Sequence, residues 1–159
     1  MTTLASRTAG VDHFTPAQLL RTAQLFATDP ELPSLIDPAS GERQWRQLGQ
    51  TPYLQIWLLS WPAGTATDWH DHGTASGAFH TVQGTLTEES WIGSIHTREI
   101  AAGEGRAFGS RHIHSMKNRS TSTALSVHAY SPALSEMTRY AVDGARLATL
   151  GIDQAGEQW

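Results

Sequence analysis

From Gln44 to Leu150 the chain breaks into short runs of aliphatic, aromatic and β-branched residues, separated at close intervals by glycine-bearing turns. Runs this short and this often interrupted do not suit helices, and their composition suits half-buried pleated strands. We read strands over residues 44–48, 53–61, 78–83, 86–92, 96–101, 124–130, 137–142 and 145–150. The turns are Pro62-Ala63-Gly64, Gly84, Gly93, Gly103-Glu104-Gly105 and Asp143-Gly144. Asp-Gly is a strong hairpin signal because the favoured two-residue turn needs positive φ at both central positions. Short strands at this spacing predict an all-β fold, a sandwich or small barrel.

One helix is legible ahead of the strands. Thr15 can cap it, Pro16 suits the first helical position, and Gln18 completes a capping box. Leu19, Leu20, Ala23 and Phe26 follow near helical spacing, and Asp29-Pro30 ends the run. A second short helix or turn is expected over residues 31–36. The expectation is one domain over residues 1–159, with a helical segment at about 14–40 and the barrel at about 42–150.

The sequence contains no cysteine. That excludes disulfide scaffolds, thiolate-bound zinc, iron–sulfur clusters and thiol nucleophiles. The net charge of −4 offers no basic footprint for nucleic acid. The longest apolar stretch, residues 53–61, contains Gln55 and Ser60 and falls far below the roughly 18 residues of a membrane span. The first residues lack a basic region followed by an apolar one, so no secretory signal is expected. A cytoplasmic protein without nucleic-acid or membrane partners follows as the expectation.

The chain has eight histidines. His70 and His72 flank Asp71, and in a strand such residues project from one face and can reach one metal ion. Their context is more specific than the pair. Gly64 precedes His70 with five residues between, and Gly84 follows at the spacing of the first cupin motif. A second segment starts at Gly103, has Gly109 where that motif usually has proline, and ends on His114-x3-Asn118. The two motifs stand in cupin order with 18 residues between Gly84 and Gly103. The chain therefore resembles a small cupin, a double-sheet jelly-roll barrel.

It departs from most metal cupins in one respect. The glutamate usual four or five residues after the second histidine is replaced by Ser76 and Gly77. Three neutral ligands would leave an ion's charge in place, unlike the two-His-one-carboxylate triad of many iron oxygenases. Such a site suits an anionic substrate such as a thiolate. Residues 70–86 and Glu88 resemble the cysteine dioxygenase type I signature without a gap, and Trp61 stands at the family's distance before His70. Residues 125–132 are similar to that family's S-x-H-x-Y-S-P strand. The likeness runs from about Trp45 to Pro132.

The resemblance implies Fe(II) bound by His70, His72 and His114, although imidazoles also accept nickel, manganese or zinc. His112, two residues before His114, is the alternative third ligand and otherwise a rim histidine. It implies a catalytic face of Ser126, His128 and Tyr130, in which Ser126 bonds His128 and His128 orients the Tyr130 hydroxyl. It implies a guanidinium for the substrate carboxylate, whose planar fork matches two carboxylate oxygens. A shortened turn at residues 49–52 gives that role to Arg46. The ungapped alignment instead gives Gln44, as in relatives acting on 3-mercaptopropionate, and leaves Arg43 solvated. Leu59, Thr67, Phe79 and Met116, with Trp69, fall near the implied pocket, with plain core packing as the other reading. Gly77 stands where animal enzymes carry a cysteine linked to the tyrosine. His13, His80 and His96 read as surface histidines, and Trp61 and Trp69 as packing residues.

The implied reaction is oxidation of a small thiol by O2, with L-cysteine going to cysteine sulfinic acid as the first choice. The alternatives are a 3-mercaptopropionate or other mercapto-acid dioxygenase, a non-catalytic cupin binding a metal or small ligand, and a cupin isomerase or hydrolase. Monomer and homodimer are both compatible with the sequence. Residues 151–159 receive no role, and Trp159 is either part of a tail or folds back on the barrel.

Overall fold

The computed structural model describes residues 13–155. Helix α1 (Pro16–Phe26) is followed by a 3-10 turn (Leu32–Leu35) and eleven strands. These are β1 (Gln44–Thr51), β2 (Leu54–Trp61), β3 (Trp69–His70), β4 (Ser76–Gln83), β5 (Thr85–Trp91) and β6 (Ile95–Ala101). The rest are β7 (Gly105–Phe108), β8 (His114–Lys117), β9 (Ala124–Ser131), β10 (Glu136–Asp143) and β11 (Arg146–Gln154). Helix α1 begins where its cap signals put it. Gln18 N donates to Thr15 Oγ1 at 3.3 Å, and Thr15 N donates to the Gln18 side chain at 2.9 Å.

The strands form two antiparallel sheets, in the orders β1-β2-β9-β4-β7 and β11-β10-β3-β8-β5-β6. Strand β9 lies at the centre of the first sheet and is buried along its whole length. Its alternation divides two cores. Leu125, Val127 and Ala129 face outward and pack with Leu19 and Ala23 of α1 and with Ile56, Leu58 and Ala78. Ala124 and Tyr130 face inward, with Trp61, Phe79, Leu86 and Met116. The helix thus covers one face of this sheet and leaves the other to line the barrel interior.

The eight expected strands correspond to β1, β2, β4, β5, β6, β9, β10 and β11. The structure adds β3, β7 and β8, which are two to four residues long. That is too short for a hydrophobic period to show in sequence. β11 also runs on to Gln154, so residues 151–154 belong to an edge strand paired with β10. Trp159 and the stretch before His13 lie outside the described residues. Among the described residues no helix is long and apolar enough to cross a membrane.

Between β4 and β5 the chain crosses from one sheet to the other at Gly84, with φ of 76°. A Cβ there would sit 3.0 Å from that of Ala124. An L-residue is strained in this left-handed region by about 1–2 kcal/mol. Gly84→Ala should therefore lower unfolding stability by at least that amount, measured by chemical denaturation.

Candidate metal centre

Two very short strands assemble the centre. His70 ends β3 and His114 begins β8, and the two are direct partners across that strand pair. His72 follows β3 after one intervening residue. Ring centroids lie 4.8 Å apart for His70 and His114, 4.9 Å for His70 and His72, and 5.1 Å for His72 and His114. One ring nitrogen from each falls within 4.8 Å of the others, so a single ion can sit among them. All three side chains are buried.

Outer hydrogen bonds aim two of the rings. His70 Nδ1 lies 2.8 Å from the Asp68 carbonyl oxygen, and His114 Nδ1 lies 2.8 Å from Glu88 Oε1. Each leaves Nε2 for the shared point. His72 Nδ1 is buried and has no hydrogen-bond partner. Burial, then the neighbouring His114, lowers the His70 pKa to about 3. Burial and the other two imidazoles push His72 well down. Burial also lowers His114, against the opposing pull of Glu88. Three neutral imidazoles with lone pairs facing one point are a donor set that fits a divalent first-row metal.

Beside them runs a second chain of polar groups. Trp61 Nε1 donates to Ser126 Oγ at 2.8 Å, Ser126 Oγ lies 2.8 Å from His128 Nε2, and His128 Nδ1 lies 3.1 Å from Tyr130 Oη. An indole can only donate. The arrangement that satisfies every buried group has Ser126 donating to Nε2 and Nδ1–H donating to the phenol oxygen. That leaves the Tyr130 proton directed at the cavity. Burial lowers the His128 pKa to about 3 and pushes the Tyr130 phenol up, so the imidazole is neutral and the phenol protonated. The Tyr130 ring lies 4.8 Å from that of His72.

A cavity of about 540 Å³ opens over these groups. Leu59, Thr67 and Met116 line it. The Thr67 hydroxyl accepts from Met116 N at 2.9 Å, which fixes the wall at that point. Phe79 does not line it. It is fully buried behind His128, stacked at 5.4 Å between centroids. Gln44 reaches the cavity, but its amide is bonded to the backbone of Asp37 from both ends, at 3.0 and 2.8 Å.

Arg46, expected near a substrate carboxylate, also lies elsewhere. Arg46 is exposed, lies outside the cavity lining, and donates to the Trp45 carbonyl at 3.0 Å. The reason is strand register. Arg46 stands opposite Leu58, which packs in the outer core, whereas Trp45 stands opposite Leu59, which faces inward. The arginine that reaches the cavity from this segment is Arg43, read above as solvated. It is half-buried, with its guanidinium 5.2 Å from the Trp61 ring centroid. Burial and nearby Arg139 push its pKa down, and Asp68 opposes them. A second guanidinium, Arg139 of β10, also lines the cavity and pairs with Asp68 at 3.0 Å and with Asp153.

Of the remaining histidines, His112 lies outside the three-nitrogen group and is bonded through Nε2 to Glu88 at 2.9 Å. His13 and His96 are exposed. His80 is not an ordinary surface residue, since its Nδ1 is buried without a partner. Trp61 does more than pack, because it anchors the Ser126 chain. Two further residues were given no role by the sequence, which offered Glu88 only as part of the family signature. Glu88 is fully buried, and the signal for it is an acidic residue inside an otherwise buried strand. Phe108 stacks on His72 at 5.4 Å and meets His114 edge-on at 5.2 Å. Its signal is the glycine opposite it, since Gly77 pairs with Phe108 on one side and Tyr130 on the other.

Residues 27–143 match the family described as Cysteine dioxygenase type I. The chain belongs to the cysteine dioxygenase type I family. That membership, with the three-histidine group, supports a cupin-type metal-dependent dioxygenase. No curated protein matches the chain in sequence. Among solved structures, a protein from Thermus thermophilus superposes with a TM-score of 0.57 at 17% identity, over 65% of this chain and 96% of its own. An uncharacterised conserved protein with a double-stranded β-helix domain from Klebsiella pneumoniae gives 0.57 at 14%, over 78% and 97%. A cupin superfamily protein from Desulfitobacterium hafniense gives 0.54 at 14%, over 62% and 84%. These likenesses show the cupin fold.

At Gly77 a Cβ would lie 2.5 Å from two ring carbons of Phe108 and 3.0 Å from Tyr130 Cδ1. Overpacking of this kind costs about 1–3 kcal/mol. Gly77→Ala should lose stability in that range by denaturant titration, and an added Phe108→Leu should recover part of it.

Proposed function

We propose that this protein oxidises a small thiol to the corresponding sulfinic acid, RSH + O2 → RSO2H, at an Fe(II) ion held by His70, His72 and His114. The observation that carries this reading is the meeting of three buried, neutral imidazoles with the Trp61–Ser126–His128–Tyr130 chain on one cavity wall. When bound, the iron supplies one site for thiolate and dioxygen and a path for electrons from sulfur to oxygen. A non-catalytic binding cupin has no use for a phenol oriented by three further side chains.

The chain's own residues do the rest. The neutral ligands keep the pocket cationic and favour a thiolate over a thiol. Tyr130, with its proton turned into the cavity, donates to a substrate carboxylate or to charge developing on oxygen. Arg43, stacked on Trp61, meets the carboxylate, and Arg139, held by Asp68 and Asp153, completes this part of the lining. Leu59 and Met116 exclude water around the reacting sulfur.

L-cysteine is the first substrate to test and 3-mercaptopropionate the second. The second is favoured by the charges lining the cavity. Arg139 and Asp68 pair with each other, so Arg43 is the guanidinium offered to a carboxylate, and among the described residues the lining holds no other carboxylate for a substrate ammonium.

Oxygen uptake by the iron-loaded protein should be measured against L-cysteine, 3-mercaptopropionate, cysteamine and mercaptosuccinate. At least one should give uptake with one O2 consumed per thiol; silence with all four would sink the proposal. His114→Ala should lose retained iron, measured by metal analysis after desalting. Charge-assisted hydrogen bonds contribute about 1.5–3 kcal/mol, and every 1.4 kcal/mol is tenfold. Arg43→Ala should thus raise KM at least tenfold for carboxylate-bearing thiols and leave cysteamine little changed, whereas Arg46→Ala should alter neither.

A further inference from the structure

Behind the metal centre lies a carboxylate that the reaction above does not use. On β5, Ser90 pairs with His114, and Glu88 lies two residues before it on the same face. From this diagonal position Glu88 Oε1 accepts from His114 Nδ1 at 2.8 Å and from His112 Nε2 at 2.9 Å. Its second oxygen lies 2.9 Å from Arg106 Nη1, an ion pair whose geometry falls short of an aligned hydrogen bond. Arg106 belongs to the other sheet, so this pair joins the two sheets behind the centre. Phe108 covers the remaining side, stacked on His112 at 4.7 Å. No solvent reaches Glu88.

A buried carboxylate is costly unless donors and counter-charge surround it, and removing its partners is strongly destabilising. Here the surroundings are specific to one metal ligand. His70 gives its outer nitrogen to a neutral carbonyl, and His72 Nδ1 has no partner. Of the three imidazoles His114 is the one backed by an anion. A ligating histidine that donates to a carboxylate is held in one tautomer and made a stronger donor. The three ligands are therefore unequal, although all are histidines.

We infer that Glu88 is a positioning residue for the metal: it holds His114 with Nε2 toward the ion and supplies, from outside the ligand set, the negative charge that three neutral ligands lack. Arg106 partly neutralises that charge and so limits how much of it reaches the ion. His112 keeps the carboxylate in line. The inference rests on the metal-centre reading proposed above.

The test uses the full chain under anaerobic conditions. It reads Fe(II) affinity by chelator competition, the Fe(III)/Fe(II) midpoint potential, and apoprotein unfolding. Glu88→Gln keeps the shape and an acceptor for His114 but removes the charge. It should weaken Fe(II) binding about 10–100-fold and shift the potential upward. Arg106→Gln removes the counter-ion from the side away from the ligands, at a partly exposed position. It should shift the potential downward. Opposite shifts from the two variants are what a merely structural role would not produce, since both would then alter unfolding alone. If Glu88→Gln fails to fold, the downward shift in Arg106→Gln still carries the test, and no shift there overturns the inference. Wild-type binding with unchanged affinity and potential in both variants overturns it alone. Wild-type protein that binds no iron sinks the metal-centre reading and the inference with it.

Discussion

The pairing of β3 with β8 is the interaction on which the site depends. Each strand is too short to be stable alone, and the pair is a single register match between His70 and His114. It persists because both strands are held from outside. β10 pairs with β3 through Arg139 opposite His70, and β5 pairs with β8 along four positions. Asp71 adds a side-chain tie, accepting from the Tyr140 hydroxyl at 2.6 Å and from Gly73 N at 2.9 Å. Longer strands on either side therefore place two ligands that their own segments could not.

The same logic explains how much was legible in the sequence. The capped helix, the long strands and the His70–His72 spacing are local patterns, and they appear where they were read. His114 came through the motif spacing and family resemblance, because β8 is too short to have a period of its own, and the role of the Ser126–His128–Tyr130 face on the legible strand β9 came through the resemblance. The side of β1 that faces the cavity was not legible. A one-residue change of register reverses every side chain of a strand. The expectation for Arg46 over Gln44, with Arg43 solvated, turned on that register, which pairing with β2 fixes so that Arg46 faces away from the cavity. The contacts of Glu88 and Phe108 were hidden for a related reason. Their partners lie on other strands, and only the closed barrel brings them behind the histidines.

The centre is built from groups that burial keeps neutral. Desolvation lowers His70, His72, His114 and His128 and raises Tyr130. Charge is placed around that neutral set, with Arg43 and Arg139 at the cavity wall and Glu88 with Arg106 behind it. A cation bound among neutral donors is thus the main local charge, and the surrounding side chains modulate it from both sides.

The close fit of Gly77, Phe108 and Tyr130 also links the tyrosine to the histidine cluster. The space beside the Tyr130 ring at residue 77 is filled from the neighbouring strand by the Phe108 ring, which lies 2.5 Å from where a Cβ would stand. A side chain at residue 77 therefore requires the Phe108 ring to move, and that ring is the one stacked on His72. A substitution at a residue that touches none of the three histidines is thus transmitted to one of them through a single aromatic ring.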